Sequence, residues 1–214
     1  MLRAALKLGA SDVHLAGGSP PLARVCGELL DVPGLPALSG DDCRTLVYSA
    51  LTERQRAAFE SELELDASFN VPGVSRFRMN VLLHLGTVEA VFRVIPLSVP
   101  TPEELGLGPT MMGLADLPNG LVLVTGPTGS GKTSTLACMI QQINRARRRH
   151  VITIEDPVEY VYPRGKSLIR QREVGADTRS FRDALKHALR EDPDVILVGE
   201  MRDLETISLA LTAA

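Results

Sequence analysis

Runs of alternating apolar and polar residues in the first part of the chain predict short β-strands, because successive side chains of a strand point to opposite faces. Gly27 and Gly86 each interrupt such a run, and a glycine between two strand-like segments is typical of an antiparallel hairpin. The segments that the pattern predicts as strands are residues 12–15, 22–32, 75–85 and 87–95.

Two helix starts lie between these predicted strands. Ser39 is a suitable N-cap for a helix that extends to about Ala50. Thr52, followed three residues later by Gln55, forms a capping box for a second helix that ends near Glu62. We therefore expect a small α+β domain over residues 1–95.

The pattern changes after this domain. Prolines and glycines are frequent in residues 96–109, which indicates a linker. From residue 110 to 214 short apolar runs alternate with helical patterns, and this alternation predicts βαβ units around a mainly parallel sheet. The expected fold class is therefore α/β. Strands are predicted at 121–125, 151–155 and 195–198, and helices at 133–144, 180–190 and from 204 onward.

Composition and charge exclude several classes of protein. The net charge is −3, the pI is near 5.8 and there is no Trp, which argues against a nucleic-acid-binding protein. The three cysteines are scattered, so neither a disulfide framework nor a zinc site is predicted, and a reducing, cytosolic setting is expected. No apolar run is long enough for a signal peptide or a membrane span.

A glycine-rich segment between a predicted strand and a predicted helix matches the P-loop motif. Its glycines allow successive backbone N–H groups to face phosphate oxygens, and the helix that follows presents its positive N-terminal end. Lys132 can reach the β- and γ-phosphates of ATP, and the Thr133 hydroxyl can bind Mg²⁺. The residues predicted to bind the nucleotide are Gly126, Pro127, Thr128, Gly129, Ser130, Gly131, Lys132, Thr133 and Ser134.

Acidic residues follow two of the other predicted strands. Glu200 comes after the apolar run 195–198 and occupies the acid position of a Walker B pattern, where it is expected to bind Mg²⁺ with Thr133. Glu155, Asp156 and Glu159 follow the run 151–154 and predict a metal and water site. The alternative is a set of solvated loop acids, and the spacing alone leaves open which acid is the general base.

Arginines cluster in two places. Arg145 and residues 147–149 lie at the end of the helix after the P-loop, where they suit the helix dipole, although a partner contact is the alternative. Arg76, Arg78 and Arg93 alternate along the hairpin that precedes the linker. They predict one polar face of a sheet, with an arginine finger as the alternative.

Taken together, these motifs resemble those of the type II/IV secretion ATPases, and within that superfamily the retraction ATPases of type IV pili. The resemblance covers essentially the whole chain and has several independent motifs in the expected order. They are GASDVHL at 9–15, RFRMN at 76–80, the P-loop, TIEDPVE at 153–159, RQREV at 170–174, ALREDPD at 188–194 and GEMRDLET at 199–206.

This resemblance implies a PAS-like domain over 1–95 and a RecA-like ATPase domain from 110, acting in a homo-hexameric ring. It implies that Glu159 is the catalytic carboxylate, supported by Glu155 and Asp156, and that Glu200 is the Walker B glutamate. Arg78 and Arg93 match arginines that reach the γ-phosphate of a neighbouring subunit. The implied location is cytoplasmic, peripheral to the inner membrane through a pilus platform protein.

Details of the resemblance favour retraction, namely the Gly-x-Pro-Pro turn at 18–21 and Met201 after Glu200. The alternatives are a pilus-extension or type II secretion ATPase, or an accessory subunit that binds nucleotide without hydrolysing it. A nucleic-acid motor is disfavoured by the acidic pI. The chain stops within a predicted helix, so we expect a truncated protein whose ATPase sheet is incomplete.

Overall fold

The computed structural model describes residues 1–96 and 98–214, and the chain divides into two compact units, Met1–Pro96 and the remainder. In the first unit, six antiparallel strands form one sheet in the order β3-β2-β1-β6-β5-β4. The strands are β1 (Asp12–Leu15), β2 (Leu22–Val25), β3 (Glu28–Asp31), β4 (Glu64–Val71), β5 (Ser75–His84) and β6 (Thr87–Ile95).

Alternation along β5 explains which face of this sheet is buried. Phe77, Met79 and Val81 are fully buried, whereas Arg76 and Arg78, on either side of Phe77, are partly exposed. The buried side chains pack with apolar residues of three helices that cover the same core. These helices are α1 (Leu2–Lys7), α2 (Gly40–Ala50) and α3 (Glu53–Glu62). The arginines thus lie on the polar face, as one of the two interpretations of the hairpin predicted.

Both predicted helix caps are confirmed. The Ser39 hydroxyl accepts from the backbone N–H of Asp42, and the Thr52 hydroxyl accepts from that of Gln55, each as part of a capping box. Helix α1 and strand β4 were not predicted. Strand β4 lies at the edge of the sheet and pairs only with β5.

Strand register aligns charged residues in a row across the polar face. Arg24 lies opposite Asp12, Asp12 lies opposite Arg93, and Arg93 lies opposite Arg78. Like charges that face each other on neighbouring strands, such as Arg93 and Arg78, destabilise a sheet, and Asp12 on the other side of Arg93 offsets part of this repulsion. We refer to these four residues as the arginine row.

The second unit contains a three-stranded parallel sheet in the order β8-β7-β9. Helix α6 connects β8 to β9, which gives the βαβ organisation that the sequence predicts. The elements are α4 (Pro109–Met112), a 3-10 helix (Gly113–Asp116), α5 (Lys132–Ala146), β7 (His150–Glu155), β8 (Leu168–Glu173), α6 (Phe181–Ala188), β9 (Val195–Val198) and α7 (Leu204–Ala213).

The prediction of a strand at residues 121–125 is wrong. These residues form no strand, and Leu121 and Leu123 are exposed rather than buried. A strand needs a neighbour for its backbone hydrogen bonds, and no strand of the described ranges 1–96 and 98–214 pairs with this segment. Strand β8, which pairs with β7, was not predicted because its charged residues hide the apolar pattern.

Candidate active site

The loop before α5 has the geometry of a phosphate cradle. Gly126, Gly129 and Gly131 all have positive φ angles, which side-chain-bearing residues rarely adopt. A Cβ on Gly126 would also lie 2.7 Å from the Ser130 hydroxyl oxygen. The positive φ therefore favours glycine at this position, and a side chain there would also displace the Ser130 hydroxyl. The loop ends at Lys132, where α5 begins.

Lys132 is held against this loop. Its Nζ donates to the carbonyl oxygens of Gly126 at 3.0 Å and Pro127 at 2.9 Å. An ammonium group has three N–H donors and prefers anionic acceptors, so phosphate oxygens are better partners than these two carbonyls. The Lys132 ammonium group therefore lies at the loop, where phosphate oxygens could replace these two carbonyl oxygens as its acceptors.

One cleft brings the P-loop and the predicted acids together. Lys132 and Thr133 line it from the start of α5, Glu155 and Glu159 from the end of β7 and the segment that follows, and Glu200 from beyond β9. The start of α5 and the carboxyl ends of β7 and β9 thus lie at the same edge of the sheet. This is expected for an open α/β sheet whose strands are parallel. The remaining residues along the cleft are Val124, Leu136, Ala137, Asp156, Pro157, Tyr160, Tyr162, Phe181, Leu197 and Gly199.

The environments of the two neighbouring glutamates differ. Glu155 is 6% exposed, and its Oε1 accepts from the Thr153 hydroxyl at 2.6 Å and from the Gln171 amide at 3.2 Å. Burial raises the pKa of the Glu155 carboxyl, and these hydrogen bonds oppose that rise only in part. Glu159, in contrast, is exposed to the cleft. Water therefore has access to the carboxylate of Glu159 rather than to that of Glu155.

The segment that carries Glu159 is anchored at several points. The Val158 N–H donates to the buried carboxylate of Glu173 at 2.9 Å. The Tyr160 hydroxyl lies 3.0 Å from the Ser134 hydroxyl on α5. These contacts fix the 156–162 segment relative to both the sheet and the helix that begins at the P-loop.

Glu200 and Thr133 provide oxygen donors suited to magnesium. The Glu200 carboxylate is 37% exposed and pairs with Arg202 Nη2 at 2.9 Å, and the Thr133 side chain is exposed at the same cleft. The described parts of the chain contain no group of three or more His, Cys, Asp or Glu residues arranged to hold a metal. Magnesium fits such a site because it commonly takes one or two protein oxygens and completes its coordination with water and phosphate.

The predicted arginines lie in two different settings. Arg147 pairs with Asp116 and Arg149 pairs with Asp194, so these two cations make contacts within the second unit. Arg78 and Arg93 belong to the arginine row of the first unit, and the Arg93 side chain is 69% exposed.

Sequence reasoning missed three residues around the acids, namely Thr153, Tyr160 and Gln171. None of them belongs to a catalytic residue type that stands out without its neighbours. The only signal was that Thr153 and Gln171 fall within the motifs at 153–159 and 170–174. The structure places these two residues directly opposite each other in the parallel register.

No helix within residues 1–96 and 98–214 has the length and apolar character needed to cross a bilayer. The model of the family described as "Type II/IV secretion system protein" matches residues 69–214.

Two bacterial relatives are similar along most of the chain. The "Type IV pilus retractation ATPase PilT" of Pseudomonas aeruginosa is 53% identical over 214 residues, which is 100% of this chain and 62% of the relative. A "Twitching motility protein" of Neisseria gonorrhoeae is 50% identical over 194 residues, or 91% of this chain and 52% of the relative. The chain thus spans between about half and two thirds of the length of these curated relatives.

A solved structure of the pilus retraction motor PilT with bound ADP superimposes with a TM-score of 0.93 at 50% identity, covering 98% of this chain and 61% of that one. The structure of the Legionella pneumophila ATPase DotB superimposes with a TM-score of 0.84 at 32% identity, covering 98% and 60%. The fold, the P-loop cleft and these likenesses agree, and the chain belongs to the family of type II/IV secretion system proteins.

Proposed function

We propose that the chain is the nucleotide-binding part of an ATP-hydrolysing motor that drives the retraction of type IV pili. The observation that carries this proposal is the convergence of Lys132 and Thr133 with Glu155, Glu159 and Glu200 on one cleft. A P-loop alone binds nucleotide, whereas hydrolysis also needs an acid that holds the metal and a group that orients or deprotonates water. The names of the relatives support the choice of retraction.

Lys132, Thr133 and the three glutamates of the cleft each have a role in this proposal. The P-loop N–H groups and Lys132 bind the phosphates, and Thr133 and Glu200 hold Mg²⁺, which neutralises charge on the phosphate oxygens when bound. Glu159 orients or deprotonates the attacking water, since it is the exposed acid of the pair at the end of β7. Glu155 is shielded from solvent and supports the segment that carries Glu159.

The assembly is a homo-hexameric ring in this proposal, located on the cytoplasmic side of the inner membrane and recruited there by a pilus platform protein. Arg78 and Arg93 act on the γ-phosphate of the neighbouring subunit. Their place on the polar face of the sheet and the exposure of Arg93 support this role, because an arginine that acts on another chain has to be accessible. An arginine supplied in this way can contribute a factor of about 10³ to 10⁵ to turnover.

Steady-state phosphate release with Mg²⁺ and ATP tests the enzyme. We expect turnover by the chain and a loss of at least about 100-fold in Lys132→Ala, because the substitution removes the cation that faces the phosphates. Lys166→Ala is a matched control, since Lys166 is an exposed lysine whose Nζ donates to the Ala146 carbonyl at 3.3 Å. Nucleotide binding without turnover would instead favour an accessory subunit.

A further inference from the structure

Gln171 joins three parts of the cleft through a single side chain. Its Nε2 donates to Glu155 Oε1 at 3.2 Å and to the Tyr160 carbonyl oxygen at 2.7 Å, and its Oε1 accepts from the Tyr162 N–H at 3.3 Å. A primary amide has two N–H donors and one carbonyl acceptor. Both donors and the acceptor are therefore engaged, which no other side chain of similar size can reproduce.

The strand register explains why Gln171 can make these contacts. Gln171 on β8 lies directly opposite Thr153 on β7, so both side chains are on the same face of the sheet. Both donate to the same oxygen of Glu155, which is two residues after Thr153. The other two contacts of Gln171 are to the Tyr160 carbonyl oxygen and the Tyr162 N–H. Both belong to the backbone segment that directly follows Glu159.

We propose that Gln171 is a positioning residue of the ATPase site, whose amide holds the Glu155 carboxylate and the segment bearing Glu159 in a fixed relation to each other. This inference rests on the proposed function of the cleft. Gln171 acts through the two acids and is not among the residues that line the cleft. Displacing a reacting group by about 1 Å costs on the order of 100-fold in rate, so a clamp of this kind has a measurable effect on turnover.

Two substitutions separate the hydrogen bonds from the space that the side chain fills. Gln171→Met keeps the length and volume and removes all three hydrogen bonds. Gln171→Glu keeps an acceptor for the Tyr162 N–H but places a second carboxylate beside Glu155 and the Tyr160 carbonyl. Gln142→Met is the matched control, since Gln142 also donates twice, to the Met112 carbonyl and to Asp116, but does not line the cleft.

The first readout is the separation of kcat from KM in phosphate release. We expect kcat to fall by about 10- to 100-fold in Gln171→Met while KM for ATP changes less than about 3-fold. Gln142→Met should stay within about 2-fold of the unsubstituted chain in both parameters. An unchanged kcat in Gln171→Met would overturn the proposal.

The second readout is the pH dependence of Gln171→Glu. Two carboxyl groups that share a site take up one proton more readily than either alone. That proton restores a donor between residues 171 and 155, so the kcat of Gln171→Glu relative to the unsubstituted chain should rise as the pH falls from about 8 to about 6. Glu159 and Tyr162 are the other ionisable groups that interact with Glu155, and they are present in every variant. The relative kcat of Gln171→Met should not change in this way, and an equal pH response in both variants would contradict the proposal.

The third readout is independent of turnover. Amide hydrogen exchange should accelerate at Tyr162 in Gln171→Met, because that N–H loses its acceptor, while Val158 remains protected by Glu173. If the unsubstituted chain shows no ATP turnover, the proposed function fails, and this exchange still decides whether Gln171 holds the segment. Equal protection of Tyr162 in the variant and in the unsubstituted chain would refute the clamp.

Discussion

Arg93 Nε donates to Asp12 Oδ1 at 2.8 Å, between residues that are 81 positions apart in the chain and directly opposite each other on β6 and β1. The Asp12 carboxylate is mostly buried, whereas the Arg93 side chain is 69% exposed. A guanidinium group has five N–H donors, and this contact uses only the one on Nε. Asp12 therefore holds the arginine at its base and leaves its outer nitrogens available for another acceptor.

Asp12→Asn should lower the free energy of unfolding by about 1 kcal/mol at neutral pH, since it removes the charge from this hydrogen bond. Burial raises the pKa of the Asp12 carboxyl, but hydrogen bonds from Arg93 and Ser11 outweigh that effect and the pKa is lowered overall. The stabilisation is thus complete above the ordinary pKa of 3.8 and is lost as the pH falls below it towards the lowered value. Urea unfolding at several pH values measures this difference. Asp66→Asn, at an exposed aspartate of the same sheet, is the control and should show a smaller change.

Arg93→Ala should reduce ATP turnover by about 10³-fold if Arg93 acts on the γ-phosphate of a neighbouring subunit. Mixing this variant with Lys132→Ala should restore part of the activity, because some interfaces then combine an intact P-loop with an intact arginine. Arg24→Ala, at the end of the arginine row beyond Asp12, is the control and should leave turnover within a few-fold. Absence of recovery in the mixture, with assembly verified by light scattering, would contradict action between subunits.

Glu159→Gln should reduce turnover by about 10²- to 10⁴-fold and leave nucleotide affinity nearly unchanged, because a general base contributes to the chemical step rather than to binding. Phosphate release and calorimetric binding of a non-hydrolysable ATP analogue separate the two effects. Glu103→Gln, an exposed glutamate outside the cleft, is the control. Retention of full turnover would transfer the role of base to another acid of the cleft.

Glu155→Gln should raise the free energy of unfolding at neutral pH, on the order of 1 kcal/mol, because it removes a buried charge. Burial raises the pKa of Glu155 in the folded chain, so the folded state binds more protons than the unfolded state above the ordinary pKa of 4.5. The stability of the unsubstituted chain therefore falls as the pH rises through the raised pKa, and the variant lacks this loss. Thermal unfolding between about pH 4 and pH 8 tests the prediction, and a difference independent of pH would disprove it.

Features that depend on nearby residues could be predicted from the sequence. The caps at Ser39 and Thr52 and the start of α6 at Ser180 involve contacts only three residues away. The P-loop was recognisable for the same reason, since its glycines and Lys132 lie close together in the sequence.

The hairpins around Gly27 and Gly86 were predicted, whereas features that depend on strand partners distant in the chain were missed or wrong. The apolar run at 121–125 matches the pattern of a strand, but a strand is defined by its neighbour, and none of the described strands pairs with it. The contact between Gln171 and Glu155 likewise depends on the register of β8 against β7, which no local pattern encodes. The ion pair of Asp12 and Arg93 follows from the register of β1 and β6.

The hydrogen bond between Ser134 and Tyr160 has a mechanical consequence. Ser134 is in the first turn of α5, and Tyr160 follows Glu159 directly. At 3.0 Å the contact can lengthen by only about half an ångström before it ceases to be a hydrogen bond. A shift of the start of α5 beyond that distance either breaks the bond or moves Tyr160 with it. The start of α5 and the segment that carries Glu159 are thus coupled, and neither can shift by more than about half an ångström without breaking this hydrogen bond or moving the other.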